Sequence, residues 1–252
     1  MIEVKSLNIN FYDNHVIQGV DFTVDKAETL VILGRNGAGK SVILKCVAGL
    51  LSDFQGTVQI DGVDITKYYA GREASEHGAQ KKAGVAYVFQ KGGLFDSMSV
   101  FDNTAFGLRR LGVDETGVDD SVSNAIYRVG LKGSEQKLPS ELSGGMQKRV
   151  GLARAVCMSP DLILYDDPTA GLDPMLSDSI ADLMLEIQDS TGATSIVVTH
   201  DLMVARKVAD NIALLYRGKF VFYGSTESFF SMENSYARQF INGDIEGPID
   251  IY

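Results

Sequence analysis

An α/β fold with a largely parallel central sheet and a helical insertion is predicted by the sequence, on three observations. Short β-branched runs recur: "TLVIL" (29–33), "GTVQI" (56–60), "GVAYVF" (84–89), "LILY" (162–165), "TSIVVT" (194–199), "NIALLY" (211–216) and "KFVFYG" (219–224). Several are continuously apolar rather than alternating, the pattern of strands covered on both faces. Between residues 92 and 160 the period changes: "VFDNTAFGLRRLG" and "GVDDSVSNAIYRVGL" repeat apolar residues every three or four positions. "SGGMQKRVGLARAVCMSP" then ends at Pro160, which stops a helix.

At 252 residues the chain is long enough to bury a substantial core, as one large domain or two small ones. Hydrophobic residues make up 45% and charged residues 22%, the balance of a folded globular protein. We find no internal repeat and no low-complexity linker. The 23 Lys and Arg against 33 Asp and Glu give a net charge of -10. Such a surface repels phosphate backbones and anionic headgroups at long range, so neither nucleic acid nor direct membrane adsorption is expected. No apolar run approaches the roughly 18 residues that span a bilayer, and "MIEVKSLNINFYD" lacks a signal peptide's apolar core, so a cytoplasmic chain is expected. Cys46 and Cys157 lie far apart among apolar residues, as reduced core thiols do.

The chemistry begins at "GRNGAGKS", residues 34–41, between the run "TLVIL" and the helical spacing of "VILKCVAGL". This is G-x-x-x-x-G-K-[ST] in a strand, loop and helix context. Gly34, Gly37 and Gly39 let the backbone curl so that successive N–H groups face α- and β-phosphates, helped by the helix N-terminus. Lys40 supplies a point charge for the β- and γ-phosphates, and Ser41 a hydroxyl for Mg²⁺. A glycine-rich turn with a merely solvated lysine is the alternative use of such a segment.

"LILYDDPTAGLDP", residues 162–174, carries two adjacent aspartates at the end of an apolar run. A buried strand there delivers Asp166 to the carboxyl edge of the sheet, where ligands of open α/β sheets bind, to hold Mg²⁺ through water. A second glycine-led helix start, "LSGGMQKR" at 142–149, presents Ser143, Gly144 and Gly145 as another anion-binding end. One chain already holds one cradle, so the second is expected to complete the site of a partner copy.

With these motifs in this order the sequence resembles the ATP-binding cassette (ABC) ATPases over essentially its whole length. The set is the P-loop at 34–41, "YVFQ" ending at Gln90, the signature at 142–146, "LILYDDP", "AGLDP" with Asp173, and "VVTHD" with His200. The resemblance implies a P-loop NTPase core of the RecA-like kind, with an inserted helical signature subdomain and an antiparallel β edge. It places the nucleotide-binding core at 1–91 and 161–225, the helical subdomain at 92–160 and a C-terminal extension at 226–252. It implies ATP and Mg²⁺ as cofactors, with Gly34, Asn36, Gly37, Ala38, Gly39, Lys40, Ser41 and Val42 on the phosphates. Phe11 stands where an aromatic stacks on adenine, with Tyr12 the neighbouring alternative; core or turn packing is the other use of an aromatic there. Ser41, Gln90 and Asp166 fall at the metal. Asp167, His200 and Gln90 fall at the reacting γ-phosphate and water, though a lone histidine also serves as a satisfied core or turn residue. Asp167 departs from the family, which usually has Glu here. The shorter arm implies slow but nonzero hydrolysis unless a bridging water or a strand shift compensates.

The partners implied are a second copy in a head-to-tail dimer and a membrane permease dimer. "FQKGGLFDSMSVFDNTAFGLR" (89–109), "GKSVILK" and "RQFINGDIEGPI" (238–249) resemble the ATPases of Mla-type phospholipid transporters. Those serve permeases associated with MCE-domain proteins and a small accessory subunit, from the inner face of the inner membrane. Leu94, Phe95, Met98, Val100 and Phe101 are expected to supply part of a groove for the permease, and the tail from Arg238 to stabilise the dimer or an accessory contact. An ABC ATPase for another cargo, such as amino acids or lipoproteins, and a soluble non-transport ABC protein are the rival readings.

Overall fold

The computed structural model describes residues 1–12, 14–65 and 84–250. Part of the expected core, 66–83, lies outside the described residues, as do the last two of the tail. The chain forms two compact units, one from Met1–Ala83 with Thr194–Tyr252 and one from Gly84–Ala193. The first unit holds β1 (Ile2–Phe11), β2 (Asn14–Val24), β3 (Thr29–Gly34), α1 (Lys40–Val47), β4 (Gln55–Ile60) and β5 (Val63–Asp64). The second holds β6 (Val85–Val88), α2 (Val100–Arg110), α3 (Glu115–Arg128), a 3₁₀ turn (Pro139–Glu141), α4 (Gly144–Val156), β7 (Leu162–Asp166) and α5 (Pro174–Thr191). The chain then returns to the first unit with β8 (Thr194–Thr199), α6 (Leu202–Val208), β9 (Asn211–Tyr216), β10 (Lys219–Ser225), α7 (Thr226–Phe230) and α8 (Ser235–Asn242).

In the first unit β3 pairs in parallel with both β8 and β9, and β10 adds antiparallel to β9. Every residue of β3 and β8 is buried, which is why those segments are continuously apolar. α1 and α6 pack on β3. Truncating fully buried Leu33 to alanine there would cost about 2–5 kcal/mol. An antiparallel sheet ordered β2-β1-β4-β5 forms the edge layer.

The first two strands are absent from the β-branched runs noted in the sequence, and the geometry explains it. Ile2 and Val4 face inward, but register shifts between Val4 and Leu7 and beyond change the parity, so Leu7 and Ile9 take over the buried face. A bulge of this kind breaks the period-two signal without ending the strand.

In the second unit β6 and β7 run parallel, and α2, α3 and α4 pack on one another through residues such as Ala105, Leu108, Val118, Val122, Ile126 and Val150. Each helix starts on a side-chain cap: Ser99 accepts from Asp102 N at 3.0 Å, Asp114 from Gly117 N at 2.9 Å and Ser143 from Met146 N at 3.3 Å. Such caps are each worth about 1 kcal/mol. Fully buried Asn103 ties down the loop before α2, accepting from Phe95 N and donating to the carbonyls of Phe95, Met98 and Ser99.

Candidate nucleotide site

The phosphate loop leaves the carboxyl end of β3. Gly37 and Gly39 stand at φ 81 and 104, left-handed backbone that L side chains avoid. A Cβ on Gly39 would come within 2.9 Å of Ile17 Cδ1 and 3.1 Å of Val16 Cγ1, so the loop closes directly against β2. α1 follows with Gly39 as its N-cap and no side-chain cap. The other described α-helices all have one. An uncapped helix start behind a curled glycine loop is the form an anion site takes, because backbone N–H groups and the positive end of the helix dipole serve the ligand instead. The buried Lys40 ammonium donates to the carbonyls of Gly34 at 2.8 Å and Arg35 at 3.0 Å, which holds it over the loop. These residues fit a nucleotide triphosphate.

His200 emerges at the same edge. Leu33 of β3 is paired with Thr199 of β8, so the phosphate loop and His200 follow directly from neighbouring strand ends. Thr199 Oγ1 accepts from Asp201 N at 3.1 Å, and Asp201 caps α6 through Met203 N and Val204 N, which fixes the turn and leaves His200 exposed. Phe11 ends β1 in the hairpin whose Val16 meets Gly39, and it is 42% exposed. Tyr12, at φ 54, is fully exposed.

The second unit gathers the other predicted residues. Val88 of β6 pairs with Tyr165 of β7, so Gln90 and the two aspartates leave adjacent strands at one edge. Asp166 and Asp167 are both buried, and Gln90 Nε2 donates to Asp167 Oδ2 at 3.3 Å. Asp167 has φ 47, a left-handed conformation that aspartate tolerates better than most side chains. Tyr87 Oη donates to Asp166 Oδ2 at 2.8 Å; burial first, then the Asp166 carboxylate, push this phenol well above its ordinary range.

Tyr87 was not singled out in the sequence, although its place three residues before Gln90 on the strand paired with β7 carries the signal. Lys148 was missed too. It is buried on α4 and donates to the Gln90 carbonyl. Burial lowers its pKa below the ordinary lysine range, while the charges of Asp167 and Asp166 oppose the shift.

Among the described residues no group of three or more His, Cys, Asp or Glu side chains is placed to hold a metal ion. The Asp166 carboxylate nevertheless suits Mg²⁺, which binds through one or two protein oxygens plus substrate phosphates and water. Ser143 and Gly144 open α4 exposed to solvent, and Asp173 caps α5 through Met175 N and Leu176 N, each at 3.0 Å. Both cysteines are buried and free, and burial pushes the Cys46 thiol up to about 12 and Cys157 up to about 11.

One expectation is corrected. Val100 is 1% exposed and packs in the helical core, so it lines no groove. The cleft nearby, about 450 Å³, is bounded by Met98, Asp102, Phe106, Arg109 and Arg110. The tail, for which a dimer or accessory contact is expected, packs on its own unit and reaches the phosphate loop. Buried Gln239 accepts from Ile249 N at 2.6 Å and donates to the carbonyls of Ile249 and Asp244; Arg35 Nη1 donates to the Asp250 carbonyl at 3.1 Å. Truncation after Tyr236 therefore removes buried Ala237, Gln239 and Ile249 and lowers the melting temperature by several degrees. An unchanged thermal melt of the truncated chain would contradict this packing.

A phosphate loop on one strand end, an uncapped helix start behind it and a histidine on the neighbouring strand define a P-loop NTPase. The chain belongs to the ABC transporter family, whose model matches residues 17–170; it binds ATP and is an ATP hydrolase of that type. It is 41% identical, over 98% of its length and 70% of the relative's, to the "Probable ribonucleotide transport ATP-binding protein mkl" of Mycobacterium leprae. It is 35% identical, over 99% of its length and 93% of the relative's, to the "Intermembrane phospholipid transport system ATP-binding protein MlaF" of Haemophilus influenzae. A bacterial ABC transporter cassette solved as a dimer superposes with a TM-score of 0.79 at 25% identity, covering 90% of this chain and 99% of that one.

Proposed function

We propose that this chain is the ATPase subunit of a phospholipid transporter, hydrolysing ATP as a head-to-tail pair of copies that drives a separate membrane permease. The observation that supports the paired arrangement is the exposed, glycine-led start of α4, which we read as a second anion-binding end in a chain that already has a phosphate loop. The likeness to MlaF along nearly the whole of both chains supports the lipid cargo.

In this reading Gly34 and residues 36–42 hold the phosphates and Phe11 the adenine. Ser143, Gly144 and Gly145 close on the nucleotide of the other copy. Ser41, Gln90 and Asp166 would hold Mg²⁺, which would supply charge neutralisation on the nucleotide phosphates. Asp167 orients and deprotonates the attacking water, Gln90 aligns it, and His200 supports the charge that develops on the γ-phosphate. We take 1–91 with 161–225 as the nucleotide-binding core, 92–160 as the signature subdomain and 226–252 as the extension.

The cleft at Met98 and Phe106, with Arg109 and Arg110 on its rim, is the proposed dock for a cytoplasmic helix of the permease. No helix among the described residues is long and apolar enough to cross a membrane, so attachment at the inner face of the inner membrane runs through that partner. An MCE-domain protein and a small accessory subunit complete the proposed complex. The 41% identity to a relative named for ribonucleotide transport favours a second reading, the same motor on another permease.

Two measurements test the proposal. Ser143→Arg crowds the second cradle, so ATP-dependent dimerisation is lost while nucleotide binding to the monomer persists; a variant that still dimerises with ATP places the cradle elsewhere. Purification from detergent extracts of native membranes identifies the permease, and phospholipid extraction by the reconstituted complex decides between the cargoes.

A further inference from the structure

The loop after Gln90 is fastened to one helix. Lys148 of α4 donates to the Gln90 carbonyl. About one and two-thirds turns further along α4, Arg154 donates to the carbonyls of Gly93 at 2.7 Å and Gly92 at 3.0 Å. Between them the backbone itself makes contact: a Cβ on Gly151 would lie 3.3 Å from the Gly92 oxygen and 3.5 Å from its Cα. The loop thus rests on α4 with three carbonyls taken by two cations. The Gln90 side chain, leaving the same residue, reaches Asp167.

We propose that Lys148 is a positioning residue for ATP hydrolysis, holding the Gln90 main chain so that its side-chain amide stays directed at the Asp167 carboxylate. The proposal rests on the reading that Gln90 and Asp167 act in hydrolysis. Losing the ammonium frees the carbonyl to rotate, and a peptide that rotates moves the side chain attached to it. Gln90 itself is exposed, so apart from its bond to Asp167 its side chain has little packing to restore the direction. Lys148 is also five residues into the helix that Ser143 opens, which is about 7.5 Å along the axis. A shift of the signature end of α4 is therefore passed to Gln90 through one ammonium and one carbonyl.

The test uses the full chain with Mg²⁺ and ATP, comparing Lys148→Met and Lys148→Arg in the native and Gln90→Ala backgrounds. A misplacement of about 1 Å costs about a hundredfold, so Lys148→Met is expected to lower kcat roughly 10- to 100-fold with KM for ATP changed less than about twofold. Lys148→Arg, which keeps a cationic donor, is expected to recover most of kcat. In the Gln90→Ala background Lys148→Met should lower kcat further by less than about twofold. An equal loss in both backgrounds means that Lys148 acts independently of Gln90 and overturns the proposal, as does a rise in KM with kcat intact. If Lys148→Met does not fold, Lys148→Gln, an uncharged donor of shorter reach, carries the same cycle. Failure of the underlying reading is distinguishable: Gln90→Ala then leaves kcat unchanged, and the positioning role falls with it.

Discussion

Lys40→Ala abolishes ATP turnover, with kcat reduced at least about a thousandfold. Removing one neutral hydrogen-bond donor from a preorganised site costs about a hundred- to a thousandfold, and Lys40 is a full positive charge in a buried position. Its ammonium lies over the loop carbonyls of Gly34 and Arg35, so it is close to where the phosphates bind and has little reorganisation to complete. Alanine is a good helix former and α1 persists without the lysine, so loss of activity is expected with only a modest fall in melting temperature. The measurement is phosphate release at saturating ATP beside a thermal melt of each protein. Near-normal hydrolysis would remove the phosphate loop from the catalytic account.

What the sequence made legible is what is local along the chain. The phosphate loop is eight consecutive residues between a strand and a helix, and "LILYDD" is one strand with the carboxylates at its end, so spacing alone carries both. The seven β-branched runs appear as strands for the same reason. Features set by distant residues were not legible. β1 and β2 were hidden by bulges that reverse the inward face between Val4 and Leu7. Tyr87 acts on Asp166 from 79 residues away, and Lys148 meets Gln90 across 58. Val100 reads as a surface anchor by hydropathy, but its first-turn position on α2 turns it inward. The tail was expected to serve a dimer or accessory contact, and what its sequence did not show is that one buried amide, Gln239, folds it back onto its own unit.

Asp167→Glu is the second large effect, an increase in the chemical step of roughly 10- to 100-fold. The native carboxylate is one methylene shorter than the family's usual glutamate, which withdraws it by about 1.5 Å from water placed for the longer arm. A misplacement near 1 Å costs about a hundredfold, so the native chain is expected to hydrolyse slowly but measurably, with His200 proposed to support the transition state. The backbone opposes the replacement. At φ 47 aspartate is among the side chains best tolerated, and glutamate adds about 1 kcal/mol of strain, which for a chain of this size lowers the melting temperature by about 2–4 °C. Faster turnover with lower stability is therefore the expected signature of Asp167→Glu, while Asp167→Asn keeps the shape and the Gln90 contact but loses the base, lowering the native rate about a hundredfold or more. Single-turnover and steady-state hydrolysis by the three proteins, with the permease present, separates the outcomes. If glutamate brings no gain while asparagine abolishes activity, a bridging water already supplies the missing reach and the carboxylate is well placed as it stands. If asparagine changes nothing, Asp167 is not the base, and the charge support from Lys40 and His200 must carry hydrolysis without it.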